Sequence, residues 1–169
     1  LKTTVVNAVP AAYTPNINDG ITYAIGAVGS TIFVGGSFTN ESPHGSTTVN
    51  SQPYLFSFTE GTGAINTSFA PTLDGEVDTI AAGPAANEVY VAGQFKTGDG
   101  VKERVALLNA TTGAIVSGWK PAAFNGNINK IELDGNQLIV GGVFSLANNV
   151  TARSGLASLD PTTDRKSVA

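Results

Sequence analysis

The sequence predicts an all-β chain built from a repeated unit of four short antiparallel strands, and three observations predict it. A five-residue stretch, Val34-Gly35-Gly36-Ser37-Phe38, returns as Val91-Ala92-Gly93-Gln94-Phe95 and as Val140-Gly141-Gly142-Val143-Phe144. A second landmark, an aromatic two residues before a proline, recurs as Tyr13-Thr14-Pro15, Phe69-Ala70-Pro71 and Trp119-Lys120-Pro121, at steps of about 56 and 50 residues. No segment carries a helical apolar period, whereas short β-rich runs bounded by Gly, Asn and Asp occur throughout.

The elements follow in order. Residues 3–9 read as a strand with no predecessors, so residues 1–15 stand as the fourth strand of a preceding unit. Each repeat then opens on a turn, Asp19-Gly20, Asp74-Gly75 or Asn125-Gly126, pairs that reach positive φ at low cost. A first strand follows at residues 21–25, 77–81 and 128–133, its alternation implying one buried face. After a short turn the glycine-bearing second strand begins with Ile32-Phe33, Val89-Tyr90 or Leu138-Ile139, residues that suit a pleated, half-buried surface. The glycines at its end, Gly35, Gly36, Gly93, Gly141 and Gly142, are expected to be structural, at a bulge or a close backbone approach. A longer polar connection leads to the third strand at residues 54–58, 105–108 and 156–159. A turn such as Glu60-Gly61-Thr62-Gly63 or Ala110-Thr111-Thr112-Gly113 feeds a fourth strand through residues 65–69 and 115–119.

Four short antiparallel strands per repeat of about 50 residues is the signature of a β-propeller blade. The repeats span approximately residues 16–71, 72–121 and 122–169 of one domain covering 1–169, about three blades in a permuted frame. Propellers close with about four to eight blades. The chain is therefore expected to be part of a larger six- to eight-bladed ring, its remaining blades supplied by a longer chain or a second copy.

The Ile/Val-Phe/Tyr-Val-Gly-Gly strand, together with a third strand running into Leu108-Asn109-Ala110-Thr111-Thr112-Gly113 or Leu159-Asp160-Pro161-Thr162-Thr163, resembles Kelch-type propeller repeats. It is closer still to the tandem propeller repeats of secreted and surface-anchored bacterial proteins. Trp119 lies farther beyond its Thr-Gly turn than Kelch spacing places the aromatic. The resemblance implies a fold; propellers host enzymes, adhesins and scaffolds alike.

Composition narrows the function. Only 13% of the 169 residues are charged, about half the usual share, and Thr, Ser, Asn and Gly build the polar surface instead, as suits an extracellular or cell-surface β protein. A net charge of −4 with singly scattered Lys and Arg disfavours nucleic acid. No apolar run approaches a membrane span, so no membrane insertion is expected. Without cysteine there is no disulfide, no thiolate metal site, and none of the cysteine-tyrosine crosslink that galactose-oxidase-type propellers need.

The single histidine, His44, sits in the longest polar connection, where solvation is its ordinary fate. Asn16-Ile17-Asn18-Asp19-Gly20 resembles the start of a calcium loop but lacks the closing acid, so only weak calcium binding is expected, with no other cofactor and no metal site. Trp119, sharing a repeat position with Tyr13 and Phe69, is expected to pack between blades rather than to stack on a sugar. In a four-stranded meander the second-to-third connection and the blade-to-blade connection share one end, and loops that vary on a rigid scaffold suit a binding face. The candidate ligand-binding residues of that end are Asn16, Asn18, Asp19, His44, Asp74, Asp99, Asn127 and Arg153. No catalytic residues stand out. The expected function is a non-catalytic module for binding or adhesion, with a protein or carbohydrate ligand. The alternatives are the propeller portion of a secreted carbohydrate-active enzyme whose catalytic residues lie elsewhere in a longer chain, and a structural repeat of a surface assembly.

Overall fold

A computed structural model of the chain describes residue 9 and residues 11–96, 104–116, 118–119, 123–147 and 151–161. Its strands are β1 (Asn16–Ile17), β2 (Thr22–Val28), β3 (Thr31–Gly36), β4 (Asn40–Ser42), β5 (Asn50–Ser51), β6 (Leu55–Thr59) and β7 (Val77–Ala82), followed by β8 (Glu88–Gly93), β9 (Val105–Asn109), β10 (Asn127–Asp134), β11 (Gln137–Val143), β12 (Leu146–Ala147), β13 (Thr151–Ala152) and β14 (Leu156–Leu159). They form three antiparallel three-stranded sheets, β2-β3-β6, β7-β8-β9 and β10-β11-β14; β4 and β5, and β12 and β13, lie between second and third strands, the former joined by β1 into a small sheet β1-β4-β5 and the latter forming a pair. No described residue is helical. The first three strands of every repeat fall where the sequence places them, within one to three residues.

Among the described residues the expected fourth strand does not form as a strand. Residues 65–69 and 115–119 each contribute a single bridge, Phe58 to Ile65 and Leu108 to Ile115. In the first repeat the chain then turns back on itself, with the Phe69 amide donating to the Asn66 carbonyl at 3.0 Å. The aromatic at the end of the segment is the reason. Phe69 is fully buried and meets Phe33 edge to face with ring centroids 5.1 Å apart, and Trp119 meets Tyr90 in the same way at 5.4 Å. Each side chain is buried in the core cluster between its own sheet and the next, and the chain leaves strand geometry to place it there. The expected strand at residues 3–9 lies, apart from Val9, outside the described residues, as does the turn at 162–164.

The sheets stack face on face in chain order, β2 and β3 against β7, and β7 and β8 against β10. One core cluster, including Phe33, Leu55, Phe69, Val77, Ile80, Val89 and Val91, fills the first interface. Another, including Tyr90, Ala92, Trp119, Ile128, Ile131, Leu138 and Val140, fills the second. A third, Val34, Phe38, Phe56 and Phe58, lies on the far face of the first sheet. The stacking is close because one sheet presents its smallest residues to the next. A methyl on Gly26 would lie 2.5 Å from Ile80 Cγ2, and one on Gly35 would lie 2.6 Å from Val77 Cγ1. Ile80 is a knob seated over two glycines, and burying such a side chain is worth about 1.5–3 kcal/mol. Ile131 takes the corresponding place over the second sheet, where Ala81 and Ala92 stand.

The other glycine of each pair answers to its own sheet. Pairing runs Thr22 to Gly36 and then Ala24 to Gly35, leaving Tyr23 unpaired; the same slip leaves out Asp78 opposite Gly93 and Asn129 opposite Gly142. These are β-bulges, which bend a strand and sharpen its twist. Beside each bulge a carbonyl crowds the glycine, so a Cβ on Gly36, Gly93 or Gly142 would collide with the oxygen of Ile21, Glu76 or Asn127. Gly141 differs from the expectation. A methyl there meets nothing nearer than 3.9 Å, because no further sheet lies over it among the described residues.

The pair supplies its own control. Replacing Gly142 by Val is expected to cost roughly 1–3 kcal/mol through overpacking, while Gly141→Ala leaves stability within about 0.5 kcal/mol. Thermal melts of both variants check this, and an unchanged melt for Gly142→Val would contradict the bulge account.

Candidate binding face

The residues that open each repeat tie down the loops at one end of the sheets. Asp19 Oδ1 accepts the amides of Thr39 at 2.8 Å and Asn40 at 3.0 Å, while Oδ2 accepts the Thr39 hydroxyl and Asn40 Nδ2. Asp74 Oδ1 accepts the Lys96 amide at 2.5 Å, and Asn125 Oδ1 accepts the amides of Ser145 and Leu146, both at 2.9 Å. Each acceptor thus holds the chain just past the glycine strand of its own repeat. The donors hold the Asp19 carboxyl down at about 2, the Thr39 side chain first, then the Thr39 amide and the Asn40 groups.

The first repeat gathers the largest group of candidates. Asn16 and Ile17 pair with Ser42 and Glu41, and β5 completes the small sheet through Asn40 to Ser51 and Glu41 to Asn50. Asn18 Oδ1 accepts the Ser42 hydroxyl at 3.2 Å. His44 stands exposed in the turn between β4 and β5, closed by the Ser46 amide on the Pro43 carbonyl. In the second and third repeats Arg104 Nη1 donates to Asn127 Oδ1 at 2.6 Å, and Arg153 donates its amide to Ser145 O and Nη1 to Ala152 O, both at 3.0 Å. Asp99 lies outside the described residues.

Glu41 is the residue whose importance the sequence conceals. It has no accessible surface, and neither carboxylate oxygen has a hydrogen-bond partner. Burial pushes its carboxyl up to about 7; its own amide and the Asn50 side chain, near it but outside hydrogen-bond geometry, temper the shift, and the charge of Asp19 adds to it. Glu41 lines a cleft of about 420 Å³ between the β4–β5 hairpin and the segment leading into the second repeat. Repeat comparison is the one signal that could have found it. Counting from Asp19 and Asn125, Ala147 holds the same place in the third repeat, where it is buried in the core. The fold therefore works with a methyl at that position.

Two carboxyls driven to opposite sides of the usual range is an arrangement used for acid–base work. Here the lower one has both oxygens engaged by the chain's own donors. Among the described residues no three His, Asp or Glu side chains converge as metal ligands, and no helix is long and apolar enough to cross a membrane.

Comparison with known proteins gives the fold and nothing finer. The sequence matches no protein family, and no curated protein matches it. Among solved structures the chain is similar to the computationally designed Ika4 protein, with a TM-score of 0.55 and 13% identity over 88% of this chain and 71% of that one. It is also similar to the designed Ika8 protein, with a TM-score of 0.55 and 11% identity over 85% of this chain and 34% of that one. At such identities the likeness is one of all-β fold alone.

The two carboxyls give stability an unusual pH profile. Glu41 binds its proton more tightly folded than unfolded, so stability falls as pH rises from about 4.5 to about 7. Asp78, pushed up by burial and then by Glu76, acts in the same direction. Asp19 works oppositely, its contribution being complete above about 3.8 and lost as pH falls toward 2. Urea unfolding from pH 3 to 8 is expected to show a maximum near pH 4–5 and an alkaline decline on the order of 2 kcal/mol. Glu41→Gln should remove most of that decline; a decline of the same size in the variant would contradict the assignment.

Proposed function

We propose that the chain is a run of β-propeller blades within a six- to eight-bladed ring, serving at a cell surface or outside the cell as a non-catalytic module for binding or adhesion. The packing of knob on glycine supports the ring. Ile80 sits over Gly26 and Gly35, whereas Ile25, the same position one repeat earlier, is 70% exposed on the far face of the first sheet, with Tyr23 beside it. At the other extreme Gly141 is an open socket and Leu156 is 62% exposed. Large apolar side chains left in water on a repeated packing face mark a surface that a neighbour covers. A further blade fits, from a longer chain or a second copy.

Lys130 and Glu132 flank the open socket and pair at 3.8 Å, in places where the first repeat has Ala24 and Gly26. The neighbour on that side therefore carries polar groups of its own. The binding half of the proposal is supported by the end where turn side chains fasten loops of unequal length to rigid sheets. Its ligand is a protein or a carbohydrate. The likeness of the repeats to those of secreted and surface-anchored bacterial proteins supports the location.

Light scattering tests the ring. The isolated 169 residues are expected to self-associate reversibly, and Ile25→Glu should shift them to monomer; a monomer indifferent to that substitution would contradict the ring. A panel of immobilised glycans and surface proteins tests the module. Saturable binding to at least one, weakened severalfold by Asn18→Ala, His44→Ala or Arg153→Ala, is expected. Hydrolysis or oxidation of a sugar by these residues alone would overturn the non-catalytic assignment.

A further inference from the structure

The cleft at Glu41 combines a buried acid with walls of two kinds. Ile65, Pro53 and Pro71 supply apolar surface, while Asn50, Thr67 and Thr72 supply oxygen acceptors. A buried carboxylate without a donor is costly, and the third repeat shows with Ala147 that the fold does not require one there. No cation offsets it: among the described residues the ion pair is Lys130 with Glu132, far along the chain in the third repeat. Asp19 adds a second fixed negative charge.

We propose that this cleft binds an alkylammonium group, of the kind a lysine side chain of a partner protein carries, with the Glu41 carboxylate as its counter-charge. The proposal rests on taking the loop end as the binding face and names the chemistry of its ligand. An ammonium brings positive charge together with N–H donors that can reach hydrogen-bond geometry, and its remaining protons suit the hydroxyls of Thr67 and Thr72 and the Asn50 carbonyl. Its alkyl stem lies along Ile65 and the prolines, as lysine stems lie on apolar surfaces. A sugar would bring hydroxyls but no positive charge, and so would not gain from ionisation of Glu41. Entry requires the lip of the cleft to give. That lip is β5, two residues long and paired on one side only, through Asn40 to Ser51 and Glu41 to Asn50. Strands of this kind open at low cost. In the empty cleft Glu41 holds a proton near neutrality, so binding the cation releases it.

Amide NMR of the 169-residue chain tests this with three probes: Nα-acetyl-lysine methylamide, the norleucine analogue with the same stem and no charge, and methyl glycosides. The lysine probe is expected to shift the amides of Asn50, Ser51, Thr67 and Thr72 saturably and to bind about tenfold tighter at pH 8 than at pH 6, as a carboxyl titrating near 7 requires. Glu41→Gln should abolish the shifts. Equal binding of the norleucine probe, a pH-independent affinity, glycosides in place of lysine, or no shift at all would each overturn the proposal. Should Glu41→Gln fail to fold, the pH ratio and the norleucine comparison decide on the unaltered chain. The outcome is separable from the wider function, since a module that binds its ligand elsewhere on the loop end would pass the panel above and fail this titration.

Discussion

The structure depends on one constraint, the close approach of each sheet to the next. Ile80 can settle on the first sheet only because Gly26 and Gly35 put no side chain under it. From that contact the rest follows. The glycine of closest inter-sheet approach is followed by one that accommodates a bulge, and the bulge re-aims the first strand where its loop departs. Phe69 and Trp119 then fill the wedge that remains, each against the aromatic of its own second strand. The loops inherit their positions from sheets that leave them little choice, and Asp19, Asp74 and Asn125 fasten them.

How much of this could be read in the sequence varied with the kind of interaction. The glycine strands were legible because a missing side chain at a fixed repeat position has few explanations; in the structure Gly36, Gly93 and Gly142 each lie against a backbone carbonyl. The fourth strand misled because Ile65 and Phe69 have strand propensity, while what they do is decided by the wedge between two sheets, a tertiary feature. Asp19 was legible as a turn residue, but its acceptors' true partners lie about twenty residues downstream, beyond what local spacing reports. The β4–β5 hairpin was invisible in a run of Asn, Ser and Thr that lacks alternation. Glu41 falls in the loop end the sequence marks out, but its burial was hidden for the same reason, since burial of a single acid leaves no pattern.

Repetition gives function a foothold here. Where the three repeats agree they describe the fold, and where they differ they describe something added to it. Glu41 in place of Ala147 is one such difference. The exposed pair Lys130 and Glu132, where the first repeat has Ala24 and Gly26, is another, and it gives the two outer faces of the stack different chemistry. A surface that is apolar at one end and charged at the other selects its neighbours by polarity as well as by shape.

The central claim is that sheet stacks on sheet through a side chain seated over glycine, and a double-mutant cycle between Gly35 and Val77 tests it most directly. A methyl on Gly35 falls 2.6 Å from Val77 Cγ1, so Gly35→Ala alone should destabilise, and Val77→Ala alone should destabilise by leaving a cavity. Together each relieves the other. The account predicts that the double variant is more stable than the sum of the two losses by on the order of 1 kcal/mol or more. Losses that simply add, to within about 0.3 kcal/mol, would mean that the two residues do not meet and would contradict the stacking described here.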